Sequence, residues 1–154
     1  MTFDIVEGDL LDQRVDAIVN AWNRNTIPWW LLLPQGVSGA IKRRGGNEPF
    51  KELAQHGRMK LGEAVVTGAG RLPFKAIIHV AGINDFWRAS EGSIRLSVRN
   101  SVHVALERGF PSIAIPVIGA GSGGLKLGQA EEIMRDELGH LEGDVRILIV
   151  RFRP

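Results

Sequence analysis

Six short runs of aliphatic and β-branched residues set the tightest limit on how this chain can fold. They are FDIVE (Phe3 to Glu7), DAIVNA (Asp16 to Ala21), EAVVTG (Glu63 to Gly68), AIIHVA (Ala76 to Ala81), SIAIPVI (Ser112 to Ile118) and VRILIVRF (Val145 to Phe152). Runs of this kind read as strands, and most are continuously apolar, the pattern of strands covered on both faces. Between them the period changes. From Ser90 to Arg108, Ile94, Val98, Val102, Ala105 and Leu106 recur at three- and four-residue spacing before Gly109, as in an amphipathic helix with a glycine stop. Shorter helical patterns cover Val37 to Arg44, Glu48 to His56 and Gly128 to Leu141. Alternating strands and helices predict an α/β fold with helix, sheet and helix layers. With 154 residues, 44% of them hydrophobic, the chain suffices for one core, so residues 1–154 are expected to form a single domain.

Composition removes several chemistries. No cysteine is present, which excludes disulfides, thiolate nucleophiles, iron–sulfur clusters and cysteine-based zinc sites. His56, His103 and His140 lack metal-ligand spacing, so neither a metal nor a cofactor is expected. The N-terminus MTFDIVEGD has no signal-peptide pattern, and no apolar run approaches the roughly 18 residues of a membrane span. A cytoplasmic protein without a membrane partner is the expectation. Lys and Arg number 19 against 17 Asp and Glu. The basic clusters Lys42–Arg44 and Arg146, Arg151 and Arg153 read as solvated faces, since no aromatic residues alternate with them as in a nucleic-acid stacking platform.

The strongest local signal is IPVIGAGSGGLKLGQAEEIM, where a strand runs into Gly119, Gly121, Gly123 and Gly124 before a helix. Glycines permit close backbone approach, so successive amides can point at one anion, and a phosphate or pyrophosphate is the natural guest. The spacing formally matches a dinucleotide fingerprint, but that motif opens the first βαβ unit and needs an acid about 20 residues on, after the next strand. Here the next strand ends the chain. A second polar site follows from VEGDLLDQRVDAIVNAWN, with Asp9 after the first strand and Asn20 and Asn23 at the end of the second. A carboxylate there can accept an exocyclic amine and the amides can read ribose hydroxyls, although capping and loop roles fit equally well.

Together, GDLLDQRVDAIVNAWN, GVSGAIKRRGG, GEAVVTGAGRLPFKAIIHVAG and PVIGAGSGG, in this order, resemble the macro domain family over most of the chain. The resemblance implies a mixed, largely parallel central sheet in an αβα sandwich and an ADP-ribose pocket at the C-terminal ends of its strands. Asp9 would bind the adenine amine beside the Leu10 backbone, and Asn23 would hold the distal ribose with Asn20 bracing the loop. Gly36, Val37 and Ser38 would approach the distal ribose and phosphates from one side. Ile118, Gly119, Ala120, Gly121, Ser122, Gly123, Gly124 and Leu125 would wrap the diphosphate from the other. The implied function is binding of ADP-ribose or of an ADP-ribosylated protein or nucleic acid, with hydrolysis of the ADP-ribosyl linkage. A non-catalytic reader is the alternative.

Two positions depart from the hydrolytic pattern. Ser38 stands where family members carry an aspartate that orients water, and Gly123 stands where an aromatic residue packs on the distal ribose. Asn23 and Ser38 are therefore the catalytic candidates, with a bound phosphate of the substrate assisting the water. The family's glycine run is replaced by IPWWLLLP (Ile27 to Pro34), whose prolines disfavour a long helix. Three roles stay open for it: a cap on the core, a pocket wall in which Trp22, Trp29 or Trp30 stacks on the ribose, or a partner surface at Trp29 and Trp30.

Overall fold

The computed structural model describes residues 1–31, 36–86, 88–120 and 123–153. Its strands are β1 (Thr2–Gly8), β2 (Ala17–Trp22), β3 (Ala64–Thr67), β4 (Ala76–Ala81), β5 (Ser112–Pro116) and β6 (Arg146–Phe152). They form one sheet in the order β1-β6-β5-β2-β4-β3. Every pairing is parallel except that of β3 with β4. The α/β sandwich with its mixed, largely parallel sheet is thus as expected.

Helices α1 (Gly36–Gly45) and α2 (Glu48–His56) cover one face, and α3 (Glu91–Arg108) and α4 (Leu127–Gly139) the other. The two-residue period of a strand divides the side chains between the faces. On β2, Ala17 and Val19 enter the cluster with Ile94, Val98 and Met134, whereas Ile18 and Trp22 join Ile41, Phe50 and Leu53. Asn20 and its register partner His79 on β4 therefore lie on the α1/α2 side.

Helix α3 begins at a reciprocal cap: Ser90 Oγ accepts from the Ser93 amide and Ser93 Oγ accepts from the Ser90 amide, which satisfies two otherwise orphaned donors. One predicted boundary is displaced. The apolar run Ser112 to Ile118 stops being a strand at Pro116, because the chain turns there. Ile118 remains buried and donates its amide to Met134 Sδ at 3.3 Å, so burial extends beyond the sheet pairing.

Phe50 is the wedge between α2 and the sheet. Its ring lies 5.2 Å from Trp22 and 6.0 Å from His79, centroid to centroid. Phe50→Ala is expected to lower stability by about 3–5 kcal/mol, the range for emptying a fully buried aromatic site. Urea denaturation checks this, with Phe50→Leu recovering most of the loss.

Candidate functional site

A cleft of about 890 Å³ opens where the parallel strands end. Its floor is built from Val150 and Phe152 of β6, Pro116 and the residues after β5, Ala21 and Trp22 of β2, and Gly82 after β4. Four strand spacings separate β1 from β4, about 19 Å at the usual strand separation. The cleft is thus elongated, with chemically different ends.

The β1/β6 end carries a carboxylate and an exposed ring. Asp9 Oδ1 accepts from the Leu11 amide at 2.9 Å, capping the 3₁₀ turn Leu10–Asp12, while Oδ2 lies 3.4 Å from an Arg44 nitrogen. This fixes the carboxylate at the cleft edge and balances its charge. Phe152, 68% exposed, lines the same end. An aromatic so exposed gains little from its own burial, so its ring is free to stack.

The middle is backbone. Gly119 has φ +93°, and an added Cβ would lie 2.8 Å from Ile94 Cδ1; both conformation and space demand glycine. The amides of Gly119 and Ala120 take no acceptor among the described residues, leaving donors at the cleft wall. A Cβ on Gly123 would lie 2.9 Å from Ala89 Cβ. That contact explains why no aromatic side chain occupies this position.

The β2/β4 end is polar but uncharged. Ser38, in the first turn of α1, lines the cleft and donates from Oγ to Asn20 Oδ1 at 2.8 Å. Asn20 Nδ2 bonds His79 Nδ1 at 3.0 Å, and His79 Nε2 bonds Thr67 Oγ1 at 2.8 Å. Asn20 and His79 are fully buried. Burial pushes the His79 imidazole down to about 3, because a cation there would lose its hydration. The cleft's ionisable lining residues, among those described, are Asp9, Arg43 and Arg44. Asp85 is exposed and held by Arg24 and Arg58, at 3.4 and 2.7 Å. It does not line the cleft.

Of the residues expected at the site, Asp9, Leu10, Trp22, Gly36, Val37, Ser38, Ile118, Gly119, Ala120 and Gly123 line the cleft. Asn20 lies one layer behind Ser38 with both amide atoms engaged, so it supports the lining and does not form it. Asn23 is buried, and its Oδ1 accepts from the Asn25 amide at 2.6 Å to close the turn after β2. Gly124 and Leu125 fall outside the lining; Leu125 pairs back to the Gly119 carbonyl. Gly121 and Ser122 lie outside the described residues.

Of the three tryptophans offered as a pocket wall, Trp22 lines the cleft, whereas Trp29 and Trp30 are not among its lining residues. The Lys42 ammonium donates to the Trp29 carbonyl at 2.7 Å and sits 5.3 Å from its ring, with Lys51 at 5.7 Å. These cation–π contacts pin Trp29 against α1 and α2, as a cap on the core. Trp30 is 68% exposed and Leu31 is exposed beside it; Leu32 to Gln35 lie outside the described residues. Among the lining residues that sequence reading did not name are Phe152, Arg43 and Arg44. A terminal aromatic on an apolar strand and a basic helix end carry no local mark of a site. Among the described residues no cluster of three or more His, Cys, Asp or Glu could hold a metal.

This geometry defines an α/β protein with a ligand cleft at the carboxyl ends of its parallel strands, in the position general to open α/β sheets. The Macro domain family model matches residues 19–134, and the chain belongs to that family. The O-acetyl-ADP-ribose deacetylase of Citrobacter rodentium is 39% identical over 137 residues, covering 84% of this chain and 73% of that protein. The Oceanobacillus iheyensis macrodomain with ADP superposes with a TM-score of 0.85 at 26% identity, covering 98% of this chain and 83% of that one. The Trypanosoma brucei macrodomain in complex with ADP-ribose gives 0.80 at 27%, covering 96% and 63%.

Two outcomes are expected. Unfolded histidine takes up a proton near pH 6.5 whereas native His79 stays neutral to about 3. Its contribution is therefore complete above pH 6.5 and declines by about 1.4 kcal/mol per unit as pH falls below that value. Urea denaturation at pH 7 and pH 5 should show a smaller pH-dependent loss in His79→Gln than in the parent. For the insert, Trp29→Ala should lower the thermal midpoint, whereas Trp30→Ala should change stability by no more than about 0.5 kcal/mol, as read by calorimetry.

Proposed function

We propose that the cleft binds ADP-ribose and that the protein hydrolyses an acyl or ADP-ribosyl linkage at its distal ribose. The observation that carries this reading is the order of groups across the strands. A carboxylate acceptor and an exposed ring stand at the β1/β6 end, open amides at β5, and a neutral hydroxyl at the β2/β4 end. Adenine, diphosphate and ribose follow the same order along the ligand. Asp9 accepts from the adenine amine, Phe152 stacks on the base, and the amides of Gly119 and Ala120 hold the diphosphate. The names of the deacetylase relative and of the ADP-ribose-bound neighbour support this assignment.

Among the described lining residues the one carboxylate, Asp9, stands at the opposite end and no histidine lines the cleft, so the protein orients water at the far end without deprotonating it. A diphosphate oxygen of the substrate takes the proton as water adds to the acyl carbonyl. The acid departs and the ribose regains its hydroxyl. The same scarcity of a base favours a second reading, a reader that binds without turnover. The modified group is a protein, a nucleic acid or a small acylated ADP-ribose, and Trp30 with Leu31 is the surface on which a macromolecular target would rest. No helix of the described residues is long and apolar enough to cross a membrane, and the cytoplasm is the proposed location.

Calorimetric titration should show ADP-ribose and ADP binding and NAD binding more weakly. Phe152→Ala should weaken ADP and ADP-ribose alike by about two- to tenfold. Incubation with O-acetyl-ADP-ribose or with a mono-ADP-ribosylated protein should release ADP-ribose. Binding without release would leave the reader, and NAD binding in preference to ADP-ribose would sink both readings.

A further inference from the structure

The buried chain Ser38–Asn20–His79–Thr67 has a direction, and one contact at its far end decides it. Thr67 Oγ1 lies 2.9 Å from the Gly68 carbonyl oxygen and 2.8 Å from His79 Nε2. A carbonyl only accepts, and a hydroxyl has one proton to give. The Thr67 proton therefore goes to Gly68, and His79 must supply the proton between Nε2 and Thr67. With Nε2 protonated, neutral His79 offers only a lone pair at Nδ1, so the Asn20 amide group donates to it. Asn20 Oδ1 then faces Ser38 and accepts its proton. All four bonds point the same way, from the cleft toward Gly68.

We propose that Thr67, His79 and Asn20 act as positioning residues that commit the Ser38 proton inward. Ser38 then meets the ligand as a hydroxyl that accepts and cannot donate, and it selects a ligand hydroxyl at the β2/β4 end. The assignment to a ribose hydroxyl rests on the ADP-ribose reading above; the direction of the relay does not. Ser38 is thereby no nucleophile. Its proton is held by an amide oxygen, which is not basic enough to remove it. What it supplies is a fixed lone pair that orients the sugar or a water. The burial of Asn20 and His79 keeps solvent from offering alternative partners, so the arrangement is preset before a ligand enters.

Long-range proton–nitrogen correlation spectra of the ¹⁵N-histidine-labelled protein near pH 7 test the direction. The expected His79 signal is that of the Nε2-protonated tautomer, retained in Thr67→Ser. Protonation at Nδ1 overturns the proposal. Thr67→Val removes the acceptor, and the tautomer should shift toward Nδ1 protonation; if that variant does not fold, the wild-type spectrum decides alone. Ser38→Ala should weaken ADP-ribose by about three- to tenfold, the loss of one hydrogen bond, and leave ADP, which lacks the distal sugar, unchanged. Equal weakening of both ligands overturns the role given to Ser38. Failure of the wild-type protein to bind ADP-ribose refutes the ligand reading, while an Nε2-protonated His79 still upholds the relay.

Discussion

A primary amide in the middle of a strand covered on both faces has to be satisfied within the protein, and Asn20 is in that position. Left unpaired, it would cost about 1–3 kcal/mol or more. Its two partners come from different parts of the fold: His79 is the register neighbour on β4, and Ser38 stands at the start of α1. Meeting this one requirement couples the sheet to α1. It thereby sets where the first turn of α1 enters the cleft.

The hydrophobic layers then hold that arrangement in place. Phe50 from α2 presses on both Trp22 and His79, so the wall of the cleft and the buried imidazole share one packing neighbour. On the opposite face, Ile94 and Ala89 approach Gly119 closely enough to exclude a side chain there. The amide donors of Gly119 and Ala120 are consequently presented by backbone whose path the core determines. Near the end of β6, Arg151 makes paired bonds of 2.6 and 2.7 Å to Glu131 of α4. That ion pair holds the helix over the strand end next to Phe152, and the Arg151 guanidinium keeps the Glu131 carboxyl below its ordinary range.

Much of this was legible locally. The six strands and four helices follow from apolar period and from stops such as Gly109, because burial on one or both faces writes itself into residue spacing. The glycine loop was legible for the same kind of reason: its conformation excludes other residues. The roles of Trp29 and Trp30 were not, since two adjacent tryptophans look alike in sequence. Which one packs depended on the ammonium groups of Lys42 and Lys51 on two different helices. Phe152 was hidden for the opposite reason, because it continues a strand pattern whose last residue happens to be exposed.

The sequence by itself determined the layer architecture, the family, and the residues from which a nucleotide-sized cleft could be built, since these depend on period, turn chemistry and motif order. Only the tertiary structure decided which polar residues face the cleft and which stand behind it. Asn20 and Ser38 are 18 positions apart, and His79 is a further 41 from Ser38; no local rule relates them. Parallel pairing of β2 with β4 brought the amide and the imidazole together. A hydrogen bond to one backbone carbonyl at Gly68 then gave their chain its direction. Proton direction is a property of the whole connected set, so it exists only once the chain has folded.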